Sequence, residues 1–203
     1  MANTADPPDA PLKATIGAAV RALADALSAL PAPAMIIGGI AVIARGVPRL
    51  TRDIDATVAG GAVELNRLLD TLRALAIVPR IDDAAAFAAA NQVVLLRHEP
   101  SGVDVDLSIA WLPFELEALA ASEQLDLAGT RVAVARAEDL IIYKAVAFRP
   151  QDQQDIERLL VLHGPVIDLA RVRRIVDEFA SALDEPERMA RLEDIIRRAG
   201  RAA

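Results

Sequence analysis

The chain has 203 residues, is 54% hydrophobic and carries a formal net charge of −7, which suits one compact domain or a core with a small appendage. Its lack of cysteine excludes disulfides, thiol catalysis and Cys-ligated zinc or iron–sulfur centres, and its acidic balance disfavours a broad nucleic-acid-binding face. No apolar run reaches the roughly 18–20 residues of a membrane span and the polar N-terminus lacks a signal pattern, so the sequence predicts a cytoplasmic protein without membrane contact.

Hydrophobic periodicity and turn residues divide the chain into two regions after a short lead-in, residues 1–11, whose polar composition predicts disorder. The predicted elements of the first region, residues 12–135, are helices over 12–30, 40–45, 63–75 and 84–90, strands over 35–37, 54–58, 92–98 and 103–109, and a hairpin over 125–134. The second region, residues 136–203, carries four helical patterns separated by prolines. The sequence therefore predicts a mixed α/β (α+β) core followed by a helical C-terminal region.

Two carboxylates, Asp53 and Asp55, are separated by one residue where the strand predicted over 54–58 begins. Side chains alternate faces along a strand, so both acids point the same way while Ile54 points into the core. Carboxylates this close repel one another and raise each other's proton affinity. A hard divalent cation such as magnesium removes that penalty, because it takes oxygen ligands and keeps coordination positions for phosphate.

Two further motifs suit the same chemistry. Gly38-Gly39 stands between a short apolar strand and a helix, where backbone can approach a ligand closely and N–H groups can face a phosphate. The segment Val103–Ile109 is a second acid-bearing strand with Asp104 and Asp106 on one face, and one of these could complete a two-metal cluster for phosphoryl transfer. Each motif is common alone, as a turn or a solvated strand face, and the three together in this order are much more specific.

The sequence resembles the nucleotidyltransferase superfamily, which includes polymerase beta and kanamycin nucleotidyltransferase, and is most similar to the AbiEii-type toxins. The resemblance runs over about residues 35–160 and rests on Met35–Val42, Arg49–Asp55, Val105–Leu107, Pro113–Glu115, Glu138–Lys144 and Arg149–Ile156. It implies a minimal nucleotidyltransferase fold with a twisted mixed sheet, Mg²⁺, a nucleoside triphosphate (NTP), and transfer of a nucleoside monophosphate to a hydroxyl. One departure is Gly39, where the family often has serine.

The resemblance also assigns roles to particular residues. Gly38 and Gly39 would meet the triphosphate, Asp53 and Asp55 would hold metal, and Asp106 matches the third acid better than its neighbour Asp104. Four more residues complete the candidate site in this reading: Lys144 as a point charge for the triphosphate, Asp155 as an acid behind the site that could pair with it, and Arg49 and Thr51 beside the metal.

Purely structural interpretations also exist for three of these four residues. Lys144 could extend its ammonium from a helix edge, and Arg49 and Thr51 could be simply exposed to solvent. Asp152, near Asp155, could cap a helix.

Three functions compete at this point. The first is a nucleotidyltransferase toxin acting on RNA, with a tRNA end as the acceptor that the resemblance implies and with a separate antitoxin protein as partner. The second is an antibiotic-type enzyme with a small hydroxylated acceptor. The third is a non-catalytic module that binds a nucleoside triphosphate, which retention of all three acids disfavours. The residues do not distinguish the first two, because acceptor choice depends on loops.

Overall fold

The computed structural model of the protein describes residues 10–61 and 64–202, and within them the chain forms seven strands and nine α-helices. The strands are β1 (Ala34–Ile37), β2 (Asp53–Ala59), β3 (Ile77–Pro79), β4 (Val93–His98), β5 (Val103–Ala110), β6 (Glu123–Leu127) and β7 (Thr130–Val134). The helices are α1 (Ala10–Ser28), α2 (Gly38–Ala44), α3 (Leu65–Arg73), α4 (Ala84–Asn91), α5 (Pro113–Ala120), α6 (Ala137–Ala147), α7 (Pro150–His163), α8 (Leu169–Ala182) and α9 (Glu187–Ala202). None of these helices is both long and apolar enough to cross a bilayer.

The predicted mixed α/β fold is confirmed, and each predicted helix and strand is present within a few residues of its expected ends. The short strand β3 and the helix α5 were not predicted. Of the predicted lead-in, residues 1–9 lie outside the described residues, while residues 10 and 11 begin α1. The boundary at residue 135 stays a prediction: the last strand ends at Val134 and α6 begins at Ala137.

A single mixed sheet with strand order β3-β4-β5-β2-β1-β7-β6 organises the molecule. Its central pair, β2 and β5, is parallel, and its register places Asp53 beside Asp104 and Asp55 beside Asp106. Because alternate residues of a strand share a face, all four acids lie on the same face of the sheet. Ile37, the last residue of β1, is the antiparallel partner of Asp55, so the diglycine turn begins next to these carboxylates.

The opposite face of the sheet is apolar and buried. Ile54, Val105 and Leu96 lie in register across three adjacent strands, and all three are fully buried. Helix α1 packs against β2, β5 and β7. The hydrophobic core continues without a break into the C-terminal helices, since it includes Val172 of α8 and Ile195 of α9. The helical region is therefore packed onto the sheet domain and shares its core.

A buried ion-pair cluster joins two of the C-terminal helices. Asp139 of α6 is completely buried and contacts the Arg171 guanidinium of α8 at 2.7 Å and that of Arg136 at 3.0 Å. A buried carboxylate is tolerated only when it is paired and hydrogen-bonded. Asp139 thus fixes α8 against α6, the helix that faces the acidic side of the sheet.

Replacing Asp139 by alanine should lower the free energy of unfolding by about 3–5 kcal/mol, because it removes the fully buried partner of an ion pair and leaves Arg171 with only its longer contacts to Glu138 and Glu117. Urea denaturation at neutral pH measures this change as a lower midpoint with an unchanged slope. Asp177→Ala, at an exposed position of α8, is the matched control and should stay within about 0.5 kcal/mol of wild type. An equally small effect of Asp139→Ala would contradict a structural role for the cluster.

Candidate active site

A cavity of about 380 Å³ opens between the acidic face of the sheet and helices α6 and α7, within the size range of small-molecule sites. It is lined by the diglycine turn, by acids of β2 and β5, by one face of α6 and by the start of α7. Of the residues predicted for the site, those that line this cavity are Gly38, Gly39, Arg49, Asp53, Asp55, Asp106 and Lys144. Thr51 and Asp155 are not among the lining residues, but each contacts one that is.

The acidic wall consists of Asp53 and Asp55 on β2 and Asp106 on the neighbouring β5. Thr51, which is buried, donates its hydroxyl hydrogen bond to Asp53 Oδ1 at 2.9 Å. The interpretation of Thr51 as a solvent-exposed residue is therefore wrong. Its hydroxyl orients the carboxylate of Asp53, the first residue of β2.

Burial and mutual repulsion both act on these carboxylates. Burial raises the pKa of Asp55 above its usual range, and the nearby charges of Asp53 and Asp106 raise it further. The Gly39 backbone N–H and the Lys144 ammonium oppose that shift in the Asp55 pKa. Burial likewise raises the pKa of Asp106, against the influence of Arg80. This wall carries more negative charge than its neighbours neutralise, which favours a positively charged ligand.

The diglycine turn fits closely over Asp55. Gly38 has a φ of +61°, and a Cβ at this position would lie 1.9 Å from Asp55 Oδ2. At Gly39 a Cβ would lie 2.6 Å from Thr51 Oγ1, so a serine there would require Thr51 to move. Gly39, where the family often has serine, therefore leaves room for the Thr51 hydroxyl. The close contact of the turn with Asp55 depends on the absence of a side chain at Gly38.

The opposite wall carries cations that share one buried acid. Asp155 is fully buried and contacts Lys144 Nζ at 2.8 Å and Arg49 Nη1 at 2.5 Å. The expected pairing of Asp155 with Lys144 is thus present, and Asp152 adds a second contact to Lys144 at 3.1 Å. Asp152 also accepts a hydrogen bond from the Arg149 backbone N–H at the start of α7. Neither Lys144 nor Arg49 extends freely into solvent.

Arg149 is a cation of this cavity to which sequence reasoning gave no role. It is exposed, it lines the cavity, and among the described residues no carboxylate lies within ion-pair distance of its guanidinium. Its position directly before Pro150, at the start of a helix, was visible in the sequence, but nothing there indicated that the side chain would be unpaired. Arg149 is therefore available to an incoming anion.

Asp104 and Arg80 form a second polar group at the edge of the acidic wall. Asp104 does not belong to the described cavity lining, and it pairs with Arg97 Nε at 2.7 Å. The hydrogen bond from Arg97 holds the pKa of Asp104 below its usual range. Arg80 contacts Asp106 at 2.8 Å and Asp104 at 3.4 Å. Sequence reasoning missed Arg80 because β3, which precedes it, has only three residues and contains a proline.

The donor set suits a hard divalent cation that arrives with a phosphate ligand. Within residues 10–61 and 64–202, no three acidic or histidine side chains form a ready-made metal centre. Mg²⁺ does not require one, since it is usually bound through one or two carboxylates together with substrate phosphate and water. Asp53 and Asp55 supply such oxygen donors next to the glycine turn, and Asp106 faces them from the adjacent strand.

A family model described as "Nucleotidyltransferase of unknown function (DUF6036)" matches residues 16–198, nearly the whole described chain. The chain belongs to the DUF6036 nucleotidyltransferase family. No curated protein is a significant match to the sequence. The finer resemblance to AbiEii-type toxins stays a prediction.

Solved structures resemble this DUF6036 member in fold. The solution structure of the antibiotic-resistance factor ANT(2'')-Ia has a TM-score of 0.56 at 22% identity, covering 88% of this chain and 96% of its own. The crystal structure of ANT(2'')-Ia in complex with adenylyl-2''-tobramycin has a TM-score of 0.56 at 20% identity, with coverages of 84% and 99%. JHP933 from Helicobacter pylori has a TM-score of 0.47 at 14% identity, with 93% of each chain covered.

Asp55→Asn should raise the melting temperature of the DUF6036 protein at pH 7 in EDTA by about 2–4 °C, the shift that about 1 kcal/mol produces at this size. The folded pKa of Asp55 is raised, so its ionised form costs stability above the unfolded value of about 3.9. The gain should therefore shrink as the pH falls through the raised pKa.

Asp104→Asn is the matched control from the same sheet face. Because the folded pKa of Asp104 is lowered, its carboxylate stabilises the fold at neutral pH, and this contribution is lost as the pH falls. Thermal melts should therefore show shifts of opposite sign for the two variants at pH 7, and both shifts should shrink as the pH is lowered toward 4. A lower melting temperature for Asp55→Asn at pH 7 would contradict a repulsive acidic wall.

Proposed function

We propose that the protein transfers a nucleoside monophosphate from a nucleoside triphosphate to a hydroxyl acceptor. The observation that carries this proposal is the division of charge in one cavity. Asp53, Asp55 and Asp106 form one wall, and Lys144 and Arg49 form the other, with the glycine turn beside them. An acidic wall suits a metal ion and a cationic wall suits phosphate, and a metal-bound triphosphate presents both.

In this proposal Asp53 and Asp55 hold a divalent cation, Mg²⁺, and Asp106 contributes from β5. When bound, such a cation neutralises charge on the transferred phosphoryl group and favours ionisation of the attacking hydroxyl. Thr51 orients Asp53 through its 2.9 Å hydrogen bond. The backbone at Gly38 and Gly39 comes close enough to Asp55 to bring a triphosphate next to the same carboxylate.

Lys144 and Arg49 bind the phosphates in this proposal, and Asp155 positions both of them. Its two oxygens are fully used, since Oδ2 meets both cations and Oδ1 accepts a hydrogen bond from Gln151 at 3.3 Å. A cation held by a buried carboxylate is already oriented, so it loses little side-chain entropy when phosphate binds. Arg149, which has no carboxylate partner among the described residues, supplies a further positive charge at the cavity.

For the acceptor we propose an RNA end, with the protein acting as the toxin of a toxin–antitoxin pair. This follows the resemblance of Arg49–Asp55 and Arg149–Ile156 to AbiEii-type toxins. The net charge of −7 suits a local contact with an RNA terminus better than a long duplex. An antitoxin protein is the partner that this role requires.

A small hydroxylated molecule is the second candidate acceptor. ANT(2'')-Ia, a similar fold, is an antibiotic-resistance factor solved with adenylyl-2''-tobramycin. The acidic wall of the cavity and the net negative charge of the chain suit a polycationic acceptor such as an aminoglycoside. Fold similarity alone does not transfer a substrate, so the two acceptors are compared directly.

The test combines the protein, Mg²⁺ and each α-labelled triphosphate with total RNA, with tobramycin, or with no acceptor. Label in a discrete RNA band supports the first acceptor, and labelled tobramycin supports the second. Asp55→Asn should lower transfer by about 100-fold or more, because a lost charge in the metal site acts on the transition state. Asp177→Asn, an exposed change, should leave it unchanged.

Two outcomes would contradict the proposal. Transfer that persists at the wild-type rate in Asp55→Asn would show that this carboxylate is not part of the catalytic site. Triphosphate binding by wild type without transfer to either acceptor would favour a non-catalytic binding module. Expression in a bacterial host adds the toxin test, since growth inhibition should require Asp55 as transfer does.

A further inference from the structure

Arg80 occupies an unusual place in the acidic wall. It follows β3, and its backbone N–H donates to the Leu95 carbonyl of β4 at 3.0 Å. Leu95 is in turn the register partner of Asp106 on β5. The Arg80 side chain therefore extends across β4 to reach β5, and the strand pairing fixes where it starts.

The guanidinium of Arg80 forks between two carboxylates of β5. Nη2 lies 2.8 Å from Asp106 Oδ1 and Nη1 lies 3.4 Å from Asp104 Oδ2. Asp104 is itself held by Arg97 Nε at 2.7 Å. The four side chains form a continuous chain of alternating charge from Arg97 to Asp106, and only its last member lines the cavity.

This arrangement treats the two oxygens of Asp106 differently. Oδ1 is buried, and the Arg80 guanidinium lies 2.8 Å from it as its ion-pair partner. The carboxylate cannot rotate freely about its Cβ–Cγ bond without breaking this contact. The other oxygen, Oδ2, is the one left for a ligand in the cavity.

We propose that Arg80 is a positioning residue that holds Asp106 by Oδ1 and so presents Oδ2 to the cation and the reacting groups. Asp104 and Arg97 keep Arg80 in place, which gives Asp104 a role distinct from that of a metal ligand although it lies on the same face. The inference rests on the proposed function, because it concerns the geometry of that same site. A planar guanidinium suits the task because its two terminal nitrogens reach the two carboxylates separately and in a fixed orientation, whereas a lysine would present a single nitrogen on a shorter side chain.

The test measures metal binding separately from transfer. Mn²⁺ affinity is determined by electron paramagnetic resonance without acceptor, and kcat and the triphosphate KM are determined with the acceptor that wild type uses. Arg80→Ala should weaken Mn²⁺ binding and lower kcat, each by about 10–100-fold, as is typical for partners that orient metal ligands. At a metal concentration that saturates the variant, the triphosphate KM should change by no more than about 2-fold, because Lys144 and Arg49 remain.

Two further variants test whether the effect of Arg80→Ala comes from the lost position of Asp106, from the lost charge or from impaired folding. Arg80→Lys retains the charge but not the fork, so it should stay impaired, whereas millimolar guanidinium chloride should partly restore Arg80→Ala. Arg73→Ala removes an arginine from an exposed pair on α3 and should behave as wild type. Thermal melts of all variants identify any loss of fold, and Arg80→Lys then decides the question if Arg80→Ala is unstable.

The outcomes distinguish this inference from the proposed function. Wild-type Mn²⁺ affinity and kcat in Arg80→Ala would overturn the role of Arg80 while leaving nucleotidyl transfer intact. Tighter Mn²⁺ binding with an undiminished kcat would also overturn it, since Arg80 would then compete with the metal. If wild type binds Mn²⁺ but transfers nothing, the proposed function fails, and the Mn²⁺ comparison still decides whether Arg80 positions Asp106.

Discussion

The structure depends on one electrostatic constraint, the presence of Asp53, Asp55 and Asp106 on one face of adjacent parallel strands. Register fixes their proximity, and the apolar residues that alternate with them anchor the strands in the core. The acids therefore cannot separate to relieve their repulsion, and burial raises the pKa of Asp55. A fold that keeps such a wall gives up stability at this place, as is common at functional sites.

The surrounding polar groups follow from that constraint. Asp155 holds Lys144 and Arg49 on the far wall, where both line the cavity. On the near wall, Arg97 pairs with Asp104 and Arg80 pairs with Oδ1 of Asp106. Oδ2 of Asp106 has no such ion-pair partner among the described residues. Of the four acids on this face of the sheet, Asp104 is paired outside the cavity, while Asp53, Asp55 and Asp106 line it. The C-terminal helices that enclose the cavity are fixed by their own buried pair, Asp139 and Arg171.

Much of this could be predicted from the sequence, for physical reasons. Side chains alternate between the two faces along β2 and β5, which places the acids of each strand on one face, and the two glycines after an apolar run predict the turn. Both patterns involve only residues that are close in sequence. What could not be predicted depends on pairing between strands distant in sequence: Arg80 follows a three-residue strand and meets Asp106 only because β4 lies between them. The unpaired state of Arg149 and the fit of Thr51 against Gly39 are likewise products of tertiary packing.

The proposed function requires that the acidic wall bind a triphosphate through a divalent cation. Isothermal titration of a non-hydrolysable nucleoside triphosphate into the protein tests it most directly, with Mg²⁺ or with EDTA and with wild type or Asp55→Asn. The account predicts binding by wild type with Mg²⁺ and at least a roughly 10-fold loss of affinity on removing either the cation or the Asp55 charge. Equal affinity in EDTA and in Mg²⁺ would contradict it.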